Sequence, residues 1–152
     1  MLKIAFLCVA NICRSPAMHA VFEKLVKDNK LEDKIYVDSF AITTASIGSD
    51  VNSKMQRTLF KNNISFKHTA QYFDQDQFDF FDMILVATEE IALLLKERTS
   101  LKNQSKINLL THYSKKFNDQ DIPDPYCGGD EGFDKVFSII EDSCIALFEK
   151  VR

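Results

Sequence analysis

Residues 4–29 read IAFLCVANICRSPAMHAVFEKLVKDN and contain a strand, a loop and a helix in that order. The continuous apolar run at 4–9 predicts a buried strand. The stretch 16–29 has helical periodicity and begins with Pro16, a residue suited to the first helical position. Between them lies a loop that carries thiols, an amide and a guanidinium. A strand joined to a helix by a short loop is the first half of a βαβ unit.

The same alternation continues along the chain. We predict further strands over residues 35–42, 83–87 and 107–110, and helices over 50–62, 89–98 and 131–151. Strands that alternate with helices form parallel sheets covered on both faces. The sequence therefore predicts the α/β class, with a small doubly wound four-stranded parallel sheet and helices on both faces, in one domain over residues 1–152. Ligands of such sheets bind beyond the carboxyl ends of the strands.

Composition excludes several functional classes. The 19 basic and 22 acidic side chains give a net charge of −3, which argues against a nucleic-acid-binding surface. The short apolar run at the N-terminus lacks the features of a signal sequence, so we expect a cytoplasmic protein without a membrane partner. The four cysteines are too sparse for a disulfide scaffold. Because the three histidines are scattered and no C-x2-C pair occurs, we expect neither a metal site nor a cofactor.

The loop after the first strand has the composition of an anion site. Ser15 suits the helix N-cap, so the loop directs its amides toward the helix N-terminus. Those amides, the helix dipole and the guanidinium of Arg14 together form a cradle for a tetrahedral oxyanion. The same field favours a thiolate at Cys8, which is a nucleophile for phosphoryl transfer. The other residues of this predicted phosphate-binding loop are Val9, Ala10, Asn11, Ile12 and Cys13.

A structural alternative is that Cys8 is only a buried strand cysteine and Arg14 a surface residue of the first helical turn. A C-x5-R spacing arises by chance in about one chain in ten of this composition, so the spacing alone is a weak motif. Its position between a strand and a Ser-Pro helix start favours the functional interpretation.

Two motifs, CVANICRSP at 8–16 and IPDPYCGG at 122–129, resemble those of the low-molecular-weight protein tyrosine phosphatase family. That family carries C-x-G-N-x-C-R-S-P near the N-terminus and D-P-Y later in the chain, and the similarity covers essentially the whole sequence. The resemblance implies an enzyme that hydrolyses phosphotyrosine in proteins through a cysteinyl-phosphate intermediate. It also implies a phosphotyrosine-containing protein as the partner, with a tyrosine kinase as one candidate.

The resemblance assigns Cys8 as the nucleophile, Arg14 as the phosphate clamp and Asp124 as the proton donor. An aspartate before a proline is most often a turn former. A phenolate, however, leaves poorly unless an acid protonates its oxygen, and the cysteinyl phosphate then needs a base to activate water. Asp124 is therefore expected to act first as a general acid and then as a general base.

The resemblance also implies a polar network that supports the loop. Asparagine tolerates the left-handed backbone conformation, so Asn11 is expected at a bend of the loop. The hydroxyl of Ser15 is expected near the sulfur of Cys8. The remaining members of the expected network are Ser39 and His68.

The other cysteines are given separate interpretations. Cys13 follows Cys8 by five residues in a tight loop, so it is a candidate redox partner that could protect the nucleophile through a reversible disulfide. Cys127 and Cys144 are interpreted as structural.

The chain departs from the family pattern in five places. Ala10 replaces a glycine, which would cost on the order of 1 kcal/mol if the position needs a positive φ. Ala45 stands where an aromatic residue usually faces the substrate ring, and with Tyr126 it belongs to the expected substrate rim. We expect these departures to affect rate and substrate choice and to leave the reaction type unchanged. The other three are Thr88 for aspartate, also at the rim, Cys127 for tyrosine, and His19 for glutamate.

Three other functions are compatible with the same fold. Protein-arginine phosphatases of the same fold tend to carry threonine before the second loop cysteine, where this chain has Ile12. Arsenate reductases need shuttle cysteines after the third strand, and TEEIALLLKER at 88–98 contains none. The divergent rim also leaves open a catalytically weak phosphate-binding module.

Overall fold

The fold is built on one parallel sheet, with the strands in the order β2-β1-β3-β4. The computed structural model describes residues 1–152, except for the side chain of Cys127. The predicted four-stranded, doubly wound α/β sheet is confirmed. Its strands are β1 (Leu2–Cys8), β2 (Ile35–Ala41), β3 (Met83–Val86) and β4 (Ile107–Leu109).

Helices connect the strands and cover the sheet. The four longer ones agree with the predicted helices to within a few residues: α1 (Arg14–Asp28), α2 (Ser53–Lys61), α4 (Glu89–Lys96) and α6 (Gly129–Val151). Two short helices were not predicted, because a single turn shows no periodicity: α3 (Gln77–Phe80) and α5 (Leu101–Gln104). Two 3₁₀ turns follow the fourth strand, at Leu110–Tyr113 and Pro125–Gly128.

The position of β1 explains its continuous apolar sequence. It pairs with β2 on one side and β3 on the other, and its residues from Ile4 to Leu7 are fully buried. A strand covered on both faces has no polar side to show. Phe6 contacts Phe22 of α1 at a ring distance of 5.7 Å, and Phe22 contacts Phe148 of α6 at 5.9 Å. The first helix is thus fixed between the sheet and the last helix, which holds the loop before it in place.

The start of α1 differs from the prediction. The helix begins at Arg14 with Cys13 as its N-cap residue, so Pro16 is the third helical residue. Proline costs no hydrogen bond there, because the first four amides of a helix have no intrahelical acceptor. Ser15 is not the N-cap, since its amide and hydroxyl both face the sulfur of Cys8.

Within the described part of the chain, no helix combines the length and the apolar character that crossing a membrane requires.

Candidate active site

The loop between β1 and α1 is held by hydrogen bonds from outside itself. Thr43 donates to the carbonyl of Val9 through its amide and its hydroxyl, at 3.3 and 2.9 Å. Asn52 donates its amide to the carbonyl of Ile12 at 2.7 Å. With two of its carbonyls bound to the surrounding structure, the loop has a defined shape before any ligand arrives.

Cys8 lies at the base of this loop, where β1 ends. The residue is buried, with 3% of its surface exposed. The backbone amide of Ser15 donates to the Cys8 sulfur at 3.3 Å, and the Ser15 hydroxyl lies 3.0 Å from the same atom. Ser15 is in the first turn of α1, where free amides carry the positive end of the helix dipole. Both groups can therefore stabilise negative charge on the sulfur.

Arg14 is the first residue of α1, and only 9% of it is exposed. Its guanidinium donates to the carbonyl of Ile122 at 3.0 Å. The surface position considered as a structural alternative is therefore wrong. The contact also joins the loop to the chain segment that leads to Asp124, a role of the Ile122 carbonyl that no sequence pattern indicates.

A buried network connects the loop to the sheet through Asn11. Asn11 is fully buried and has a φ of 57°, the left-handed conformation expected for it. Its amide nitrogen donates to the hydroxyls of Ser15 (2.7 Å) and Ser39 (3.2 Å). Its oxygen accepts from Nε2 of His68 (2.8 Å) and from the backbone amide of Gln71 (3.1 Å). The structure thus brings together all four residues expected in the network and adds Gln71.

Two further residues of the network were not expected. Nδ1 of His19 lies 2.9 Å from the hydroxyl of Ser39. The carboxylate of Asp38 accepts from the backbone amide of Ser39 at 2.8 Å and from the side chain of Gln71 at 2.9 Å. His19 could have been predicted from sequence, because it replaces the glutamate usual in the family. No sequence feature distinguishes Asp38 from the other residues of β2.

Two of the three histidines, far apart in the sequence, come together in the fold. The rings of His19 and His68 lie 5.3 Å apart. Burial and the neighbouring charge of His19 lower the pKa of His68. On its other side, Nε2 of His19 lies 3.3 Å from Glu23, and this hydrogen bond is the main cause that lowers the pKa of Glu23 to about 2.

Asp124 lies at the start of the second 3₁₀ turn and is exposed. Its carboxylate accepts from the amide of Tyr126 at 3.1 Å, so it does act as the turn former that its position before proline suggests. Burial, together with the charges of Cys8 and Asp124, raises the pKa of Cys13 to about 12. The charge of Asp124 therefore acts on a residue of the phosphate-binding loop.

Tyr126 projects from the turn after Asp124 and is 52% exposed. Its hydroxyl accepts from the side chain of Asn52 at 3.0 Å, and its ring packs edge-on against Phe133 with centroids 6.0 Å apart. Asn52 also accepts from two amides at the start of α2. An asparagine just before a helix is a recognisable N-cap, but nothing in the sequence indicates the contact of Asn52 with Tyr126.

The remaining departures are placed as follows. Ala10 does not have a positive φ, so replacing the family's glycine by alanine causes no backbone strain there. Thr88 caps α4 by accepting from the amide of Ile91 at 3.3 Å. Ala45 is exposed in the loop after β2. Cys144 is fully buried, whereas the side chain of Cys127 lies outside the described residues.

Comparison with known proteins agrees with this geometry. The family model for the low molecular weight phosphotyrosine protein phosphatases matches residues 3–152. A low molecular weight phosphotyrosine protein phosphatase of Gallus gallus is 37% identical over 150 residues, which cover 97% of this chain and 94% of the relative.

Solved structures show the same similarity. A protein tyrosine phosphatase from Entamoeba histolytica has a TM-score of 0.94 and 28% identity, with 99% of this chain and 97% of the other covered. The YwlE arginine phosphatase from Geobacillus stearothermophilus has a TM-score of 0.86 and 25% identity, with 99% and 93% covered. From the family match and the identity to its relatives, the chain belongs to the low molecular weight phosphotyrosine protein phosphatases, a family of hydrolases.

Proposed function

We propose that this protein hydrolyses phosphotyrosine in proteins through a cysteinyl-phosphate intermediate. The observation that carries the proposal is the environment of Cys8, whose sulfur receives the Ser15 amide and lies 3.0 Å from its hydroxyl at the start of a helix. Hydrogen bonds to the sulfur favour the thiolate form, which is the nucleophile toward phosphorus. We also propose that the protein acts in the cytoplasm, because a catalytic thiol stays reduced in that compartment.

In the first step the Cys8 thiolate attacks phosphorus. A sulfur–phosphorus bond forms while the bond from phosphorus to the phenolic oxygen breaks, and protonated Asp124 supplies a proton to that oxygen. Arg14 holds the equatorial oxygens, where charge develops, by bidentate hydrogen bonds. The guanidinium is already positioned by the Ile122 carbonyl, so little reorganisation is needed.

In the second step water replaces the thiolate. The Asp124 carboxylate takes a proton from water as the new oxygen–phosphorus bond forms, and the electron pair of the broken sulfur–phosphorus bond returns to Cys8. The Ser15 hydroxyl stabilises the leaving thiolate. Inorganic phosphate is released, and both residues regain their starting protonation states.

The experiment is the hydrolysis of para-nitrophenyl phosphate at mildly acidic pH by the wild type and two variants. We expect Cys8→Ser to abolish turnover and Asp124→Asn to reduce it strongly, while both still bind vanadate or phosphate. Loss of phosphate binding in Arg14→Lys would support the clamp role. A wild type that binds phosphate and has no turnover would overturn the proposal in favour of a binding module.

A phosphoarginine substrate is the second candidate, because an arginine phosphatase shares the fold. Two observations favour phosphotyrosine. Ile12 is only partly buried, so its exposed part can offer an apolar surface to a phenyl ring. Tyr126 also stands exposed beside the loop, with its orientation set by Asn52. Parallel assays with phosphotyrosine, phosphoserine and phosphoarginine peptides should show preference for phosphotyrosine, and faster hydrolysis of phosphoarginine would reverse the assignment.

The proposal retains Cys13 as a redox partner of Cys8. Cys8 and Cys13 are both free and buried thiols. A disulfide between them would store an oxidised nucleophile in a form that added thiol can reduce. We expect Cys13→Ser to lower the activity recovered after peroxide and then thiol treatment; equal recovery with and without the substitution would refute this role.

A further inference from the structure

Three potential metal ligands converge behind the phosphate-binding loop. Nδ1 of His19 and Oδ1 of Asp38 are 4.0 Å apart, and one ligand atom from each of His19, Asp38 and His68 lies within 4.8 Å of the others. We propose that these side chains form a binding site for Zn²⁺. The sequence predicted no metal site, because the three ligands come from a helix, a strand and a loop that are far apart along the chain.

The donor set suits zinc. Two imidazole nitrogens and one carboxylate oxygen are ligands that Zn²⁺ accepts in a tetrahedral site with an open fourth position. Ligand atoms about 2.0–2.1 Å from the ion stand about 3.3 Å apart, so the separations between the three ligand atoms need to shorten by up to about 1.5 Å. The Ser39 hydroxyl, 2.9 and 3.2 Å from the two histidine nitrogens, lies where a fourth oxygen ligand would be.

The surroundings of His19 provide a second, independent indication. Metal-binding histidines usually donate their other ring N–H to a carboxylate, which orients the ring and increases its basicity. Nε2 of His19 lies 3.3 Å from the carboxylate of Glu23, so Nδ1 is left to face the cluster. Phe66 covers both imidazoles, with ring distances of 4.8 Å to His19 and 6.0 Å to His68. An apolar cover of this kind lowers the local dielectric and strengthens coordination.

Solvent can reach the cluster from one side. Asp38 and Glu23 have side chains that are 22% and 33% exposed, whereas the side chain of His19 is 8% exposed. An ion can therefore arrive past the two carboxylates and meet the imidazoles beneath them. The exposed His112 and Asp119 form a 2.8 Å pair elsewhere on the surface, and they provide a matched histidine–carboxylate control.

Zinc at this site would act on the loop through Asn11. His68 donates Nε2–H to Asn11, so coordination through Nε2 requires its hydrogen to move to Nδ1 and removes that hydrogen bond. Ser39, the other shared residue, also accepts from Asn11. We therefore expect zinc to loosen the loop and inhibit turnover without occupying the phosphate position, an effect that rests on the proposed phosphatase function.

The experiment uses the full chain carrying Cys8→Ser, which removes the nucleophilic thiolate as a competing zinc ligand. Isothermal titration with Zn²⁺ should give one site per chain, and Co²⁺ should give the intense visible bands of a four-coordinate ion. Adding His19→Gln or Asp38→Asn should weaken binding at least tenfold, whereas adding His112→Ala should not change it. No zinc binding by Cys8→Ser, or binding that survives His19→Gln unchanged, would overturn the proposal.

A second measurement does not depend on the folding of the added variants. In ¹⁵N spectra of Cys8→Ser, zinc should shift Nδ1 of His19 and Nε2 of His68 and leave His112 unchanged. Shifts confined to His112 would refute the site. Because binding is measured in an inactive variant, its outcome is independent of whether the wild type hydrolyses phosphotyrosine. Zinc inhibition of the wild type that a chelator reverses and that added phosphate does not relieve, with kcat lowered, would then establish the effect on the loop.

Discussion

Replacement of Asn11 tests the central structural claim about the loop. Asn11 combines a left-handed backbone with a fully buried side chain that bonds four partners. Asn11→Gly keeps the backbone conformation accessible and removes only the side chain. Asn11→Ala removes the same hydrogen bonds and also penalises the backbone, because a Cβ is unfavourable at positive φ.

The expected magnitudes follow from the contacts. Asn11→Gly leaves the backbone amide of Gln71 without its acceptor, whereas Nε2–H of His68 keeps the Ser39 hydroxyl, 3.2 Å away. A partly buried donor that loses its partner costs about 1–3 kcal/mol, so the free energy of unfolding should fall by about 1–3 kcal/mol. Alanine adds about 1–2 kcal/mol of backbone strain, partly offset by the about 0.4–1 kcal/mol it gains from a less flexible unfolded chain. Asn11→Ala should therefore be roughly 0.5–1 kcal/mol less stable than Asn11→Gly.

Asn63 provides the control, because it has a φ of 64° and is exposed. Urea unfolding of the glycine and alanine variants at both positions separates the cost of backbone strain from the cost of the lost hydrogen bonds. At both positions the free energy of unfolding of the glycine variant should exceed that of the alanine variant by a similar amount. Only Asn11→Gly should be much less stable than the wild type. If Asn11→Gly and Asn63→Gly cost the same, the network does not stabilise the fold as argued.

Three further outcomes are expected. Ser15→Ala should lower kcat for para-nitrophenyl phosphate about tenfold to a hundredfold, because a hydrogen bond to a charged sulfur contributes about 1.5–3 kcal/mol; an unchanged kcat would exclude this role. The hydrogen bond from His19 holds the pKa of Glu23 at about 2 instead of 4.5, so its contribution to stability is complete above about pH 4.5 and is lost as the pH falls toward 2. Glu23→Gln should therefore show a smaller drop in the free energy of unfolding between pH 5 and pH 3 than the wild type, and equal drops would contradict the assignment. Because its pKa is about 12, Cys13 should react with iodoacetamide more slowly than Cys8 at pH 7 in peptide mass spectra, and phosphate should protect Cys8 alone; the reverse order would be inconsistent with the raised pKa of Cys13.

Local patterns were sufficient for the architecture. A strand buried on both faces must be apolar throughout, so β1 was recognisable from its sequence. The long helices were recognisable from their periodicity, whereas α3 and α5 contain four residues each and show none. The start of α1 was misplaced because the capping preference of Ser15 is weaker than its contacts with Cys8, which lies in another element.

By itself the sequence determined the α/β class, the strand that ends at Cys8 and the family, since each is written in residues that are adjacent or regularly spaced. Only the tertiary structure decided how the loop is supported. The Arg14 contact with Ile122 and the approach of His19 to Asp38 and His68 join residues 19 to 108 positions apart. Such contacts depend on how strands and helices pack, and packing leaves no regular spacing in the chain. The candidate zinc site therefore depends on the tertiary packing that brings His19 of α1 to Asp38 of β2 and to His68.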